Sequence, residues 1–500
     1  MGAIRKGSAF SNLIRGLSMG NTIQVAVFIG VTALIGWLTY RQCRGVARVS
    51  DSNKEYFLAG NGLSWVFIAG SITLTNLSTD QLVGMNGNQM FLLAWWELAA
   101  VVGLLILATV FVPIYYKYNC TTTTELLEKR YGSKHIRAMV AVLFLLGNVF
   151  LYLPIMLYTG SLFMQSMFNV DIPIVLIASG FAVVGSAYAI FGGLRAVAVS
   201  DTISGIGLLT LSLLIVYLAL DAINFDFSGI PAERLTMLGG PDTPIPWPTL
   251  FTGMIFIQIF YWSTNQTITQ RAMAAPSVKE AQKGVFLAAA IRLIVVPLII
   301  VVPGVCAYQL YGDIGDATYG RIVGDLLPGW LSGVFAAMMA AAVLTSFNSV
   351  LNSSAALYVC DLHEKYINEK TNVHKLNTII SISFVILAVA LVPVYDGADS
   401  IINLVQQLNG LLSMPILSAF IVGLMFRNVD AGAVIITVAF GIALYAVFTF
   451  VWTPIHYIHL MAVTLFACIA LALSVNRIFY GKTAELVFFQ AKPEPAPMNG

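Results

Sequence analysis

About thirteen stretches of roughly 20 apolar residues follow one another along this chain, the length an α-helix needs to cross a bilayer. They run at roughly 22–40, 62–90, 92–116, 135–165, 172–192, 200–222, 247–265, 284–309, 328–360, 376–395, 399–425, 431–452 and 457–478. Only 10% of the residues are charged and 58% are hydrophobic, against about 25% charged in a soluble domain, so the chain lacks the polar groups to clothe a water-exposed surface. The fold class this implies is an all-α integral membrane protein embedded over almost its whole length. The first span has basic flanks and no small-residue cleavage site, and it reads as a retained anchor.

Lysines and arginines give an orientation. Alternate loops hold Arg41, Arg44, Arg48 and Lys54; Lys117, Lys129, Arg130 and Lys134; Arg195; Arg271, Lys279 and Lys283; Lys365, Lys370 and Lys375; and Arg427. The loops between them hold Arg234 and Arg321. By the positive-inside rule the first set is cytoplasmic, as is the C-terminal tail with Arg477 and Lys482, and the N-terminus is outside. Arg5, Lys6 and Arg15 run against this count but are outnumbered.

With the loops set aside, Arg292 is the cation expected inside a span, and Asp80, Glu97 and Asp201 are the carboxylates at or near membrane depth. An ionised side chain at the bilayer centre costs roughly 2.5 to 3.5 kcal/mol on the lenient insertion scale, so these residues are functional candidates by default. The run Thr73-Leu74-Thr75-Asn76-Leu77-Ser78-Thr79-Asp80-Gln81 puts side chains that compete for backbone hydrogen bonds midway along a segment too long for one straight span. A helix that unwinds there frees carbonyl oxygens, hard ligands suited to a small cation. In the ninth span Ala342, Thr345, Ser346 and Ser349 fall at i, i+3, i+4 and i+7 and share a face. The seventh span carries Gln258, Tyr261, Trp262, Asn265 and Gln266, and the eleventh Gln406, Gln407 and Asn409. Carboxamides that donate and accept, beside aromatic faces, suit the hydroxyls and C–H face of a sugar or polyol. The same side chains also serve as interhelical glue.

Other classes find no support. There is no GxxxxGK[ST] loop and no sizeable soluble domain for ATP. No nucleophile elbow or HExxH pattern marks an enzyme. The net charge of +2 provides no field for nucleic acid. The cysteines Cys43, Cys120, Cys306, Cys360 and Cys468 are dispersed and form no metal or disulfide pattern, and the histidines lie in loops or at span ends. A channel or sensor would need a continuous pore or an attached signalling domain, and neither is apparent.

From about Tyr56-Phe57-Leu58-Ala59-Gly60 to about residue 425 the chain resembles the sodium/solute symporters, within them the bacterial sodium/galactose branch. The motifs that carry this are Asn76-Leu77-Ser78-Thr79-Asp80-Gln81, Phe191-Gly192-Gly193-Leu194-Arg195-Ala196, Tyr261-Trp262 with Asn265-Gln266, Gln270-Arg271 with Ala274-Ala275, and Leu351-Asn352-Ser353, in the family's order. The resemblance implies a leucine-transporter-like 5+5 inverted-repeat core. The segments are then a tail, extra helix and loop over 1–61, repeats over 62–222 and 247–425 joined by an outer loop at 223–246, and two peripheral helices with a tail over 426–500. It maps a sodium site to the carbonyls of Leu74, Leu77 and Ala342 and the hydroxyls of Thr345 and Ser346, with Asp201 nearby. A further sodium site, found in a family subset, would map to Asp201, Thr345, Asn348 and Ser349, where Asn348 departs from the usual small hydroxyl residue.

For the solute, the family pattern falls on Asn76, Gln81, Glu97, Gln258, Arg292 and Gln406, with Tyr261 as inner lid and Met85, Trp96 and Ile402 as outer plug. Gln258 replaces an Asn of the galactose carrier, Arg292 replaces a Lys, and the stretch between Gln81 and Glu97 is about three residues shorter. The function implied is a secondary transporter of the bacterial inner membrane that couples sodium entry to uptake of a monosaccharide or related polyol. Sodium entry gains roughly 2.3 kcal/mol per 100 mV. Because Arg differs from Lys in reach and pairs well with carboxylate, the alternative is a sodium- or proton-coupled carrier of an organic or sugar acid such as sialic acid. Pairing of Arg292 with Glu97 would favour the neutral solute; a remote Glu97 would favour the acid.

Overall fold

The computed structural model describes residues 19–43, 58, 61–77, 79–368, 372–396 and 400–487. Ser78, Tyr56, Phe57, Ala59, Gly60, Lys370 and the basic residues Arg5, Lys6, Arg15, Arg44, Arg48 and Lys54 lie outside them, as do the side chains of Phe191-Gly192-Gly193-Leu194-Arg195-Ala196. In chain order the main helices are α1 (Met19–Cys43), α2 (Trp65–Asn76), α3 (Thr79–Gly87), α4 (Phe91–Lys117), α5 (Lys134–Phe168), α6 (Ile174–Ala222) and α7 (Gly253–Ser263). They continue with α8 (Gln266–Met273), α9 (Val278–Tyr311), α10 (Gly329–Tyr366), α11 (Val373–Tyr395), α12 (Ile401–Met425), α13 (Ala431–Val451) and α14 (Tyr457–Tyr480). The one paired strand among the described residues is the two-residue antiparallel match of Phe426–Arg427 with Glu485–Leu486.

Ten of these helices are long and apolar enough to cross a membrane, and three shorter apolar helices, Trp65–Asn76, Ile174–Ser186 and Gly253–Ser263, fall where the sequence places three further spans. Burial ranks them. The most apolar window of α10 is 83% buried and that of α13 only 28%, so α10 is central and α13 peripheral. Outward-facing Leu176, Val183, Ile206, Ile386 and Phe466 are exposed apolar side chains, as a surface against lipid tails requires.

Two interruptions organise the centre. After Asn76 the backbone at Leu77 leaves helical values (φ −76°, ψ 63°), and α3 restarts at Thr79 with Asp80 in its first turn. The expected unwinding is there. A second break at Thr264 (φ −122°, ψ −19°) separates α7 from α8, and the Asn265 side chain caps the new helix by accepting from the Thr267 N–H at 2.9 Å. The sequence reading ends its seventh span at 265, beside this break, but takes the residues after it as a loop and does not anticipate the buried helix α8.

A second difference concerns α6. The sequence suggests spans at 172–192 and 200–222 with a loop between them, whereas the backbone is helical from Ile174 to Ala222. It is not straight. A Cβ on Gly185 would sit 3.4 Å from Asn348 Oδ1, while Asp201 hydrogen-bonds to Thr345 on the same helix. Sixteen residues of straight helix would separate those points by about 24 Å, so α6 bends sharply enough for both halves to lie against the middle of α10.

The loop helix Gly315–Ala317 ties the outer elements together. Asp316 Oδ2 accepts from the Ile401 N–H at 3.0 Å and so caps α12. Burial pushes its carboxyl up to about 6, with the Ile401 N–H acting in the opposite direction. A raised folded-state value contributes stability that is complete below the unfolded value of about 3.9 and is lost as pH rises through the folded one. Wild-type protein should therefore lose thermal stability relative to Asp316→Asn between about pH 4 and 6. Parallel melting curves of the two proteins over that window would refute the assignment.

Candidate functional site

Six of the residues assigned to the solute, Asn76, Gln81, Glu97, Gln258, Tyr261 and Gln406, line one cavity of about 60 Å³. Met85, Trp96 and Ile402 line it too. Both broken helices contribute: Asn76 and Gln81 flank the α2–α3 break, and Gln258 and Tyr261 lie on α7 just before the second one. Close backbone approach sets the geometry. A Cβ on Gly103 would lie 2.3 Å from the Gln258 carbonyl oxygen, so α4 and α7 meet at a distance only glycine allows. A Cβ on Gly84 would lie 3.0 Å from Ile402 Cβ, which brings α3 against the start of α12.

Arg292 lies behind the cavity wall and is fully buried. One guanidinium nitrogen pairs with Glu97, Nη2 donates to the Thr73 carbonyl at 2.9 Å, and the group stacks 4.4 Å from the centre of the Trp262 ring. The Gln81 amide donates to the other Glu97 oxygen. With its oxygen toward the guanidinium, Asn76 accepts from Arg292 Nη1 at 2.8 Å and donates to the Tyr261 hydroxyl at 2.9 Å. Gln258 donates to the Trp96 carbonyl at 2.8 Å and accepts from the Trp262 ring N–H at 2.9 Å. The cavity wall is therefore one connected network. The Arg292 charge is neutralised within it.

At the same α2 break a second set of oxygens meets. Ser346 Oγ donates to the Leu74 carbonyl at 3.3 Å and Thr345 Oγ1 to the Ala342 carbonyl at 3.3 Å. Leu77 belongs to the same break. Carbonyls and hydroxyls without a carboxylate among them form a hard, uncharged oxygen set that fits a monovalent alkali cation as co-substrate. Asp201 stands beside this set, bonded to Thr345 and accepting from Ser71 Oγ at 2.7 Å, and Arg271 Nε donates to the same Ser71 hydroxyl at 3.0 Å. Ser349 Oγ donates to the Thr345 carbonyl at 2.6 Å, while both polar atoms of the Asn348 side chain are buried without a partner.

Several features were not foreseen. Arg292 is not the only buried cation: Arg271 is fully buried, and Arg137, on α5, pairs with Asp361 at 2.6 Å. The loop assignment puts Arg271 at a surface it does not reach, and Arg137 lies within the fourth expected span, 135–165. Tyr152 lines the cavity from the last position of a π-helical turn, Asn148–Tyr152, with its hydroxyl buried and unpartnered. Apolar periodicity carries no signal for such a turn. Asp80, Trp262 and Asn409 also line the cavity; the sequence marks Asp80 as a functional candidate and Trp262 and Asn409 within the aromatic and amide clusters suited to a sugar, and the family resemblance assigns none of the three.

Comparison with known proteins agrees with this architecture. The model of the sodium:solute symporter family matches residues 56–441. The chain is 34% identical over 472 residues to the uncharacterized symporter YidK of Escherichia coli (strain K12), covering 89% of this chain and 82% of that one. It is 29% identical to the sodium/glucose cotransporter of Vibrio parahaemolyticus, with 86% and 85% covered, and 28% identical to the human sodium/myo-inositol cotransporter 2, with 83% and 67% covered. Among solved structures, the substrate-bound outward-open state of a sodium-coupled sialic acid symporter superposes with a TM-score of 0.79 at 18% identity, over 93% of this chain and 99% of that one. The nucleobase-cation-symport-1 family transporter Mhp1 in a closed conformation gives 0.56 at 15% identity, over 87% and 96%. These two likenesses establish the shared fold.

Proposed function

The chain belongs to the sodium:solute symporter family and is a multi-pass membrane transporter that couples sodium to a solute, and on that premise we propose that the solute is a neutral monosaccharide or related polyol. The observation that carries this reading is the Arg292–Glu97 pair. A carrier of an acid needs a free cation facing its pocket, and here Glu97 already occupies the guanidinium while Asp80 adds a second carboxylate to the lining. Asn76, Gln81, Gln258 and Gln406 supply carboxamides that both donate and accept, as hydroxyls require. The relatives named for glucose and myo-inositol carriage point the same way.

In this reading sodium binds among Leu74, Leu77, Ala342, Thr345 and Ser346 and ties the broken end of α2 to α10, which draws Asn76 and Gln81 into place around the solute. Tyr261 closes the pocket from the inner side and Met85, Trp96 and Ile402 from the outer. Asp201 already has Ser71 and Thr345 as partners and Arg271 close by, and Asn348 departs from the small hydroxyl residue a further sodium site would use, which supports a single sodium site. The lysine and arginine count supports a cytoplasmic C-terminus and an outer N-terminus.

Uptake into proteoliposomes tests the substrate class. Sodium-dependent entry of a labelled neutral hexose or inositol, uncompeted by sugar acids, is expected. Sodium-dependent entry of a sugar acid uncompeted by neutral hexoses would overturn the reading. Gln81→Ala and Gln406→Ala should each raise the solute concentration for half-maximal uptake about 5- to 150-fold, the equivalent of about 1–3 kcal/mol for an unpaired partner in a dry cavity. Sodium binding measured without solute should not change. A shift under twofold in both variants would move the pocket elsewhere.

A further inference from the structure

A second and larger cavity, about 540 Å³, lies against another flank of α12. The helix period separates the two. Ile402, Val405, Gln406 and Asn409, at i, i+3, i+4 and i+7, face the solute pocket, whereas Asn403 and Gln407, one turn apart, line the larger space. Asp242, from the loop before α7, and Phe448, His456 and Tyr457, around the α13–α14 turn, form the rest of the wall that matters. Of the three amides the sequence marks on α12, only Gln407 is left without a part in the solute pocket.

The wall has the chemistry of a binding site. The Asn403 and Gln407 carboxamides, both half-buried, hydrogen-bond to none of the described residues, and the Phe448 and Tyr457 rings stand beside them. The volume lies in the range of small-molecule sites, about 300–1,000 Å³, while the solute cavity is about 60 Å³. Asp242 is the one carboxylate of the lining. The His456 imidazole is neutral near pH 7, since burial and the neighbouring His459 push it down to about 4. No cation is present among these residues to hold an anion. What remains is paired donors and acceptors beside aromatic rings, the recognition chemistry of hydroxyl-rich neutral molecules.

We propose that this cavity is a second binding site, separate from the transport pocket, for a neutral polyhydroxylated compound up to the size of a disaccharide. It rests on the lining of this cavity and not on the identity of the transported solute. An occupant would bear on α12, whose Ile402 lines the transport pocket and packs against Gly84, and would thereby tune uptake. The site makes no contact with the oxygens assigned to sodium, so its occupancy does not require sodium.

Maltose is a suitable probe because, as a disaccharide, it is larger than the monosaccharide proposed for the transport pocket. Saturation-transfer NMR on purified full-length protein in phospholipid nanodiscs, without sodium, should show saturable maltose binding. Asn403→Leu combined with Gln407→Leu should weaken it about tenfold or more, with uptake of the transported solute within twofold of wild type. Gln407→Leu alone, at a half-buried position, should weaken it about three- to tenfold and serves if the double variant fails to fold. Gln81→Ala should leave maltose binding unchanged. No maltose signal in the wild type, as when lipid fills the cavity, would overturn the proposal. So would a signal that survives Gln407→Leu and the double variant undiminished, or one that Gln81→Ala abolishes.

Discussion

Glu97→Ala is expected to reduce sodium-driven uptake to background and to destabilise the folded protein by about 3–5 kcal/mol, the cost of leaving a buried partner charge uncompensated. The Arg292 guanidinium has no exposure and cannot reach water without displacing Trp262, against which it stacks, or releasing the Thr73 carbonyl at the end of α2. Loss of Glu97 also frees the Gln81 amide and loosens Asn76, so the damage spreads along the cavity wall. Removing both charges separates stability from transport. Glu97→Gln combined with Arg292→Met should recover most of the melting temperature lost in Glu97→Ala, since replacing a buried pair by neutral groups of similar size is often nearly neutral. Uptake should stay absent in the double variant. Wild-type uptake by Glu97→Ala would show that the pair is only packing. Arg292→Lys should fold but bind solute weakly, because a single ammonium cannot serve Glu97, Thr73 and Asn76 at once.

Thr345→Ala combined with Ser346→Ala should raise the sodium concentration for half-maximal uptake by about 100-fold or more. Each hydroxyl facing a charge contributes about 1.5–3 kcal/mol, and every 1.4 kcal/mol is a factor of ten. The two hydroxyls sit on one turn of α10 beside the Ala342 and Leu74 carbonyls, and alanine removes both without changing the helix. Binding of radioactive sodium to purified protein without solute gives the direct measure. Unchanged sodium affinity in a double variant of wild-type melting temperature would place the ion elsewhere.

The break at Leu77 is legible because Thr75, Asn76, Ser78 and Thr79 compete locally for backbone hydrogen bonds, a signal confined to a few consecutive residues. The start of α8 carries an equally local signal in Asn265, a good helix N-cap, yet α8 is too short and polar to register in a hydropathy reading, which ends the seventh span at 265 and continues as loop. The bend in α6 shows the opposite limit. Hydropathy separates 172–192 from 200–222, but the backbone stays helical between them, and the reversal emerges only from where Gly185 and Asp201 meet α10.

Length, apolar content and the spacing of polar residues along single helices were enough to specify a membrane-embedded helical protein, the helix that unwinds, and the polar faces of α7, α10 and α12. These are one-dimensional properties: a bilayer of set thickness and a helix of set period convert them directly into structure. Which of two opposite charges meet is another kind of fact. Glu97 and Arg292 are 195 residues apart and pair only because α4 and α9 pack side by side, and nothing in either local sequence states that distance. Tyr152 entered the pocket through a π-turn, and Arg271 and Arg137 were buried by neighbours far along the chain. Those contacts decide whether the pocket is charged or neutral, because a buried charge is defined by the group beside it.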